Sequence, residues 1–323
     1  MILIVTLNPL LEKRFSHSRI SLGVVNRNCN LNYAAGGKGI NVSRQLKNFG
    51  LNSFNFFFAG SNNGKLFREI IKKEGLEFSF IPIKDETRES AIIISEEDKQ
   101  ITSCFTPDPE ISLNEVEELK TKLDKMIQNC EIVIFAGSSP SEAAQSIIPF
   151  GIQLANKYDK ISICDTYGSN LKECLDSAPT IIHNNLNEIE SSLKIKLDSE
   201  NAILNFMEEL NKKDVKRIYL TNGANEFYAS NFNYKYKVKP IIINSIDSTG
   251  SGDCFVASIT NSWINGEVFE ESLKTATAAA GINSASFDVC NVSQDEISEL
   301  KGNVQIFSIG KKMKLIDDSP HEI

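Results

Sequence analysis

Apolar and polar residues alternate along this chain with periods that change from segment to segment. MILIVTLNP at the N-terminus opens on a short apolar run that stops at Asn-Pro, which predicts a buried first strand. From residue 107 onward the pattern is more regular. LNEVEELKTKLDKMIQNC, 113–130, is an acidic amphipathic helix, and EIVIFAGS, 131–138, is a buried strand closed by a Gly-Ser turn. Next come a helix at about 141–157, the strand ISICD (161–165), a short helix near 169–176 and the strand TIIH (180–183). A helix pair over roughly 186–212 and the strand KRIYLTNG (216–223) complete the series. Such alternation requires right-handed crossovers and a mostly parallel sheet covered on both faces, with ligands at the carboxyl ends of the strands.

Two stretches break the alternation. Residues 11–33 show short polar and apolar alternations without a helical stripe, and TRESAIIISEEDKQITSCF, 87–105, reads as a hairpin around EEDK. Two β excursions from an α/β core predict a small second sheet that covers a cleft or pairs with another subunit; the alternative is two surface hairpins without a role. The core is therefore assigned to 1–10, 34–84 and 107–323, and the lid to 11–33 and 85–106. KKMKLIDDSPHEI, 311–323, turns polar and reads as a loose end.

Composition narrows the partners. The 323 residues are 41% hydrophobic and 24% charged, enough for a large α/β core with an inserted piece. A net charge of -8 gives no global positive field for nucleic acid or an acidic membrane, so a small-molecule partner fits better. An anionic substrate then needs a local cluster of cations or backbone N–H groups. Seven cysteines without a CxxC pair read as reduced and buried, and His17, His183 and His321 lack zinc-ligand spacing. No apolar run is long enough for a membrane span, and the N-terminus lacks the basic region of a signal peptide, so a cytoplasmic protein is expected.

Two glycine clusters carry the candidate chemistry. In AAGGKGINVSRQLKNFG, 34–50, Gly36, Gly37 and Gly39 surround Lys38 before an amphipathic helix expected from Ile40. Glycines admit an anion to backbone N–H groups and the lysine adds a point charge, although a plain glycine turn before a helix accounts for the pattern equally well. The segment is neither a Walker A loop nor a GxGxxG fingerprint, which argues against a dinucleotide oxidoreductase. In SIDSTGSGDCF, 245–255, the N–H groups of Gly250, Ser251 and Gly252, which follow Thr249, would present an anion hole where an apolar helix starts. Asp253, in the first turn and kept ionised by the helix dipole, is placed to accept a proton from an attacking hydroxyl; alone, it is also an ordinary helix-stabilising acid.

In that order and about 210 residues apart, GGKGINVSR and DSTGSGDCF resemble the two signatures of the PfkB or ribokinase-like carbohydrate kinases, across nearly the whole chain. TLNP (6–9), VNR (25–27), GGKGINV (36–42), TR (87–88) and GSxP (137–140) are similar to the 1-phosphofructokinase and tagatose-6-phosphate kinase branch. The resemblance implies a three-layer core with a β lid and an ATP- and Mg2+-dependent kinase acting on a phosphorylated ketohexose. The first expectation is fructose 1-phosphate, with tagatose 6-phosphate as the alternative. Asp253 would be the base; Lys38 or Arg88 would hold the substrate phosphate, with Arg27, Ser138, Gly37 and Asn41 nearby. Asn185 and Glu188 would act indirectly on Mg2+. Thr221 and Gly223 fall on an ATP loop with Thr249 and Gly252, Asn283 falls beside the adenine, and family members often form homodimers through their lids. The chain departs from the pattern at Glu12, which replaces a sugar-binding Asp, at Phe105 for an asparagine, at Glu226 for a glycine, and in IHNN for IKPN around His183. These changes leave open a non-catalytic sugar-phosphate-binding protein on the same scaffold.

Overall fold

The computed structural model describes residues 1–309, so the polar stretch 311–323 lies outside the described residues. Two sheets organise the chain. The large one runs through β1 (Ile2–Thr6), β4 (Ser53–Gly60), β5 (Glu77–Ile83), β8 (Ile132–Ala136), β9 (Ile161–Asp165), β10 (Ile181–Asn185) and β11 (Arg217–Thr221). These seven strands pair in parallel, in the spatial order β11-β10-β9-β8-β1-β4-β5. An antiparallel extension, β12 (Phe227–Asn231), β13 (Tyr234–Lys239) and β14 (Gln305–Ile309), continues the sheet beyond β11. The small sheet holds β2 (Leu10–His17), β3 (Asn30–Gly36), β6 (Glu89–Ser95) and β7 (Gln100–Phe105) in the order β3-β2-β6-β7, with β2 and β6 parallel at its centre.

Successive side chains on a strand point to opposite faces, and the unbroken apolar strands feed two cores accordingly. Leu3 and Val5 of β1, with Val133 and Phe135 of β8, enter one core. That core is closed by helices α3 (Leu113–Gln128), α4 (Ile147–Lys157), α5 (Leu171–Asp176), α6 (Leu186–Leu193) and α7 (Glu200–Lys212). Ile2, Ile4, Ile132 and Ile134 point the other way, against α1 (Lys38–Asn48), α8 (Ser251–Ile264) and α9 (Phe269–Ser284). α2 (Ser61–Lys73) packs beside β3 and β4, and α10 (Gln294–Leu300) beside α9. This is the three-layer arrangement of the ribokinase-like fold. The hairpin turn falls on Glu96–Lys99, as EEDK predicts.

Two local expectations need correction. α1 begins at Lys38 rather than Ile40, because Gly37 at φ 110° turns the chain directly into the helix. The small sheet also reaches past the expected lid boundary at 33, because β3 goes on pairing with β2 up to Gly36. Among the described residues no helix is long and apolar enough to cross a membrane.

Candidate active site

The N-termini of α1, α6 and α8 meet at one cleft of about 550 Å3, roofed in part by the small sheet. At the head of α8, Gly250 adopts φ 78°, and a Cβ there would run into Val289. Both conformation and space therefore demand glycine. The loop ahead of it is fixed by Asp247, whose Oδ1 accepts from Thr249 N at 2.9 Å. Asn283, expected beside an adenine, is instead buried against this loop. Its Nδ2 donates to Thr249 O at 2.8 Å and to Ser251 Oγ at 3.2 Å, and it does not line the cleft.

Asp253 follows in the first turn of α8, with 4% of its surface exposed. The helix dipole alone suggests a firmly ionised carboxylate; burial outweighs it and, with Asp165 nearby, pushes the carboxyl up to about 7, against the opposing pull of Lys38. Asn41 Nδ2 donates to Asp253 Oδ2 at 2.8 Å. The amide is oriented by Arg44, which donates to Asn41 Oδ1 at 2.9 Å and is gripped by both oxygens of Glu74. A rigid polar chain from α2's end thus sets the direction of one Asp253 oxygen.

Lys38 is spent on carboxylates. Its Nζ lies 3.0 Å from Asp165 Oδ1 and 2.9 Å from Glu188 Oε1. Burial is the largest influence on this amine and disfavours its charge, but Asp165 and Glu188 outweigh it and hold the proton firmly. Asp165, fully buried at the end of β9, keeps its pKa below the usual carboxylate value: burial works upward, while Lys38 and His183 more than compensate. His183 Nδ1 sits 3.2 Å from Asp165 Oδ1, its Nε2 3.4 Å from Thr221 Oγ1, and its ring stacks on Phe255 at 5.1 Å. Asp165 carried a visible signal, an acid closing a parallel strand at its carboxyl end, but no motif marks its role.

Asn185 and Glu188 form a reciprocal cap on α6: Asn185 Oδ1 accepts from Glu188 N at 2.8 Å and Glu188 Oε2 from Asn185 N at 3.1 Å. Both also line the cleft, as do Thr221 and Gly223. Ile241 and Ile243, which pack close to Gly281 of α9, line the cleft together with Ala280 and make this part of it apolar. Sequence patterns gave no hint of the 240–243 wall.

The remaining basic candidates lie elsewhere. Arg88 donates to Asp108 Oδ1 and to Asn8 O, both at 3.1 Å, and Asn8 Nδ2 in turn reaches Asp108 and Ser138. Arg88 and Ser138 therefore share one cluster, outside the residues that line the cleft with Asp253. Arg27 sits on the exposed loop between β2 and β3. Glu12 lines the cleft, and so does Arg14, which no sequence pattern singled out; their side chains meet at 3.1 Å.

A model of the pfkB family carbohydrate kinases matches residues 10–295. The tagatose-6-phosphate kinase of Staphylococcus epidermidis is 29% identical over 318 residues, covering 96% of this chain and all of that protein. The 1-phosphofructokinase of Borreliella burgdorferi is 30% identical over 293 residues, covering 90% of this chain and 94% of that one. Among solved structures, a possible 1-phosphofructokinase from Thermotoga maritima superposes with a TM-score of 0.87 at 22% identity, over 96% of this chain and all of its own.

Proposed function

Because the chain belongs to the pfkB family of carbohydrate kinases, we propose that it is a sugar-phosphate kinase that converts fructose 1-phosphate to fructose 1,6-bisphosphate with ATP. The observation that carries this reading is Asp253, buried and directed by Asn41 beneath the glycine turn of α8, inside the cleft of about 550 Å3 where three helices start. The acceptor hydroxyl gives its proton to Asp253 as its oxygen bonds to the γ-phosphorus. The bond from that phosphorus to the β,γ-bridging oxygen breaks, and ADP leaves. Charge on the transferring group is met by the N–H groups of Gly250 and Gly252 at the head of α8, Ser251 N–H being donated to Ser248 O at 3.1 Å, with the nucleotide extending past Thr221 and Gly223 along the apolar lining at Ile241 and Ala280. Arg88, with Ser138, remains a reserve for the acceptor phosphate when the small sheet closes as a lid.

Mg2+, when bound with ATP, neutralises nucleotide phosphates. Glu188 and Asn185 offer hard oxygens of the kind it takes. Each already accepts a backbone N–H, which suits an outer contact through water better than direct ligation.

Tagatose 6-phosphate is the second reading, supported by the Staphylococcus epidermidis kinase that aligns over the whole of its length. The test is Mg2+-dependent ADP release at fixed ATP with both sugar phosphates, fructose 6-phosphate, fructose and ribose in parallel. Fructose 1-phosphate is expected to dominate. Dominance of tagatose 6-phosphate selects the second reading, and binding without turnover points to a non-catalytic sugar-phosphate receptor.

The lids are also proposed to join two copies of the chain. Leu22, Val24 and Val25 at the β2–β3 tip are 95%, 65% and 76% exposed, an apolar surface that a second copy would cover. Sedimentation equilibrium should give a dimer, with Leu22→Asp combined with Val25→Asp giving monomers; a wild-type monomer would remove this assembly.

A further inference from the structure

Two thiols meet behind the glycine turn of α8. Cys254 follows Asp253 in the first turn of that helix, and Cys290 lies in the segment that runs from α9 to α10. Their Sγ atoms are 3.4 Å apart, both residues are fully buried, and both are free thiols. A disulfide holds its sulfurs at about 2.05 Å, so closing one here asks for a shift of about 1.3 Å.

The two sides of the pair are not held alike. Cys254 is locked in α8, its N–H bonded to Gly250 O at 2.8 Å. Cys290 sits in irregular backbone at φ 57°, a region that favours glycine, and its neighbours Asp288 and Asn291 are exposed. Burial, with Cys254 beside it, holds the Cys290 thiol protonated well above the ordinary cysteine range, so it reacts only when this segment opens.

Movement of Cys290 reaches the glycine turn through three contacts. Its thiol donates to Gly250 O at 3.3 Å, and Val289 fills the space beside Gly250. Asn283 accepts from Cys290 N at 2.7 Å with the same amide that staples Thr249 O and Ser251 Oγ. A bond between the sulfurs removes the first contact and pulls on the other two.

We infer that Cys254 and Cys290 form a redox-sensitive modification site, a reversible disulfide that displaces the glycine turn of α8. Its effect on turnover rests on the sugar-phosphate kinase reading; the bond itself does not. Hydrogen peroxide is the oxidant class that fits so enclosed a pair. The Cys290 sulfur attacks one peroxide oxygen, the O–O bond breaks, and a sulfenic acid and water result. The Cys254 sulfur then attacks the Cys290 sulfur, the S–O bond breaks, and the hydroxide leaves as water with the Cys254 proton. Two thiols give up two electrons, and the peroxide takes both.

The experiment exposes the full chain to hydrogen peroxide in a Cys29→Ser, Cys104→Ser background, which lacks the two cysteines that are not buried. Intact mass, peptide maps and Mg2+-dependent ADP release with ATP and the preferred phosphorylated ketohexose are followed together. A loss of about 2 Da mapped to a bond between 254 and 290 is expected. With it kcat should fall at least about tenfold, since displacements near 1 Å in a catalytic array cost up to about 100-fold. Dithiothreitol should restore both mass and rate. Cys254→Ala and, separately, Cys290→Ala should keep their own starting rates under the same treatment, and either variant that folds suffices. Failure to form the 254–290 bond, including oxidation to sulfinic or sulfonic acids alone, overturns the site. A bond that leaves kcat within about twofold of the reduced protein overturns the switch. So does an equal loss of rate in the alanine variants. If the reduced protein turns over no phosphorylated ketohexose, the kinase reading fails, and mass and peptide maps alone decide the site.

Discussion

Replacing Asp253 by Asn is expected to lower kcat by about 10²–10⁴, the range a positioned general base contributes, while ATP affinity stays within about twofold. Asn keeps the size of the side chain and a hydrogen-bonding oxygen or amide toward Asn41, so the α8 turn should persist. It removes only the capacity to take the acceptor's proton. The wild-type pH profile carries the same information. With the carboxyl at about 7 in the free enzyme, kcat/KM should fall tenfold per unit on the acid side of that value and level off above it. The stability sign runs the other way. A carboxyl whose folded pKa is raised above its ordinary 3.8 holds its proton more tightly when folded, so its contribution to stability is lost as pH rises from there to about 7. Asp253→Asn should therefore melt at a higher temperature than wild type at pH 8. Retained turnover, or a profile without that acid limb, would remove Asp253 from its role.

The second large effect belongs to Lys38. Lys38→Met strands Asp165, which has no exposed surface, without its ammonium, and breaking one side of such a buried pair costs about 3–5 kcal/mol. Denaturant midpoints should fall accordingly and turnover should collapse. Adding Asp165→Asn restores most of the stability, because the uncompensated charge is gone, but not the activity. If Lys38 served chiefly to grip the acceptor's phosphate, the single variant would instead raise the acceptor KM and leave the midpoint unchanged.

Much of the core was legible in sequence because parallel strands buried on both faces are near-continuous apolar runs. ISICD spans β9 residue for residue, and EIVIFAGS contains β8. The hairpin around EEDK was readable from its alternation and polar turn. The turn into α8 was readable as well, since a glycine ahead of an apolar run marks the left-handed residue that Gly250 supplies at φ 78°. What stayed hidden depends on long-range placement. Asp165 looks like any strand-ending acid until Lys38 and His183, 127 and 18 residues away in sequence, converge on it. Arg14 sits in a polar stretch that reads as surface, and only the pairing of β2 with β6 turns its side chain toward the cleft. Asn283 illustrates the reverse case. A residue in the right helix can face the loop it staples rather than the ligand beside it.

The three helix starts at the cleft give the molecule a property its net charge of -8 conceals. α1, α6 and α8 each begin there, and their first N–H groups carry partial positive charge. Backbone amides do not titrate. For the proposed kinase, that part of the attraction for a phosphorylated ligand comes from a source that neither protonation of side chains nor their neutralisation can erase. Capture of phosphorylated ligands should consequently persist at alkaline pH, where recognition built on histidine or a depressed lysine would fade.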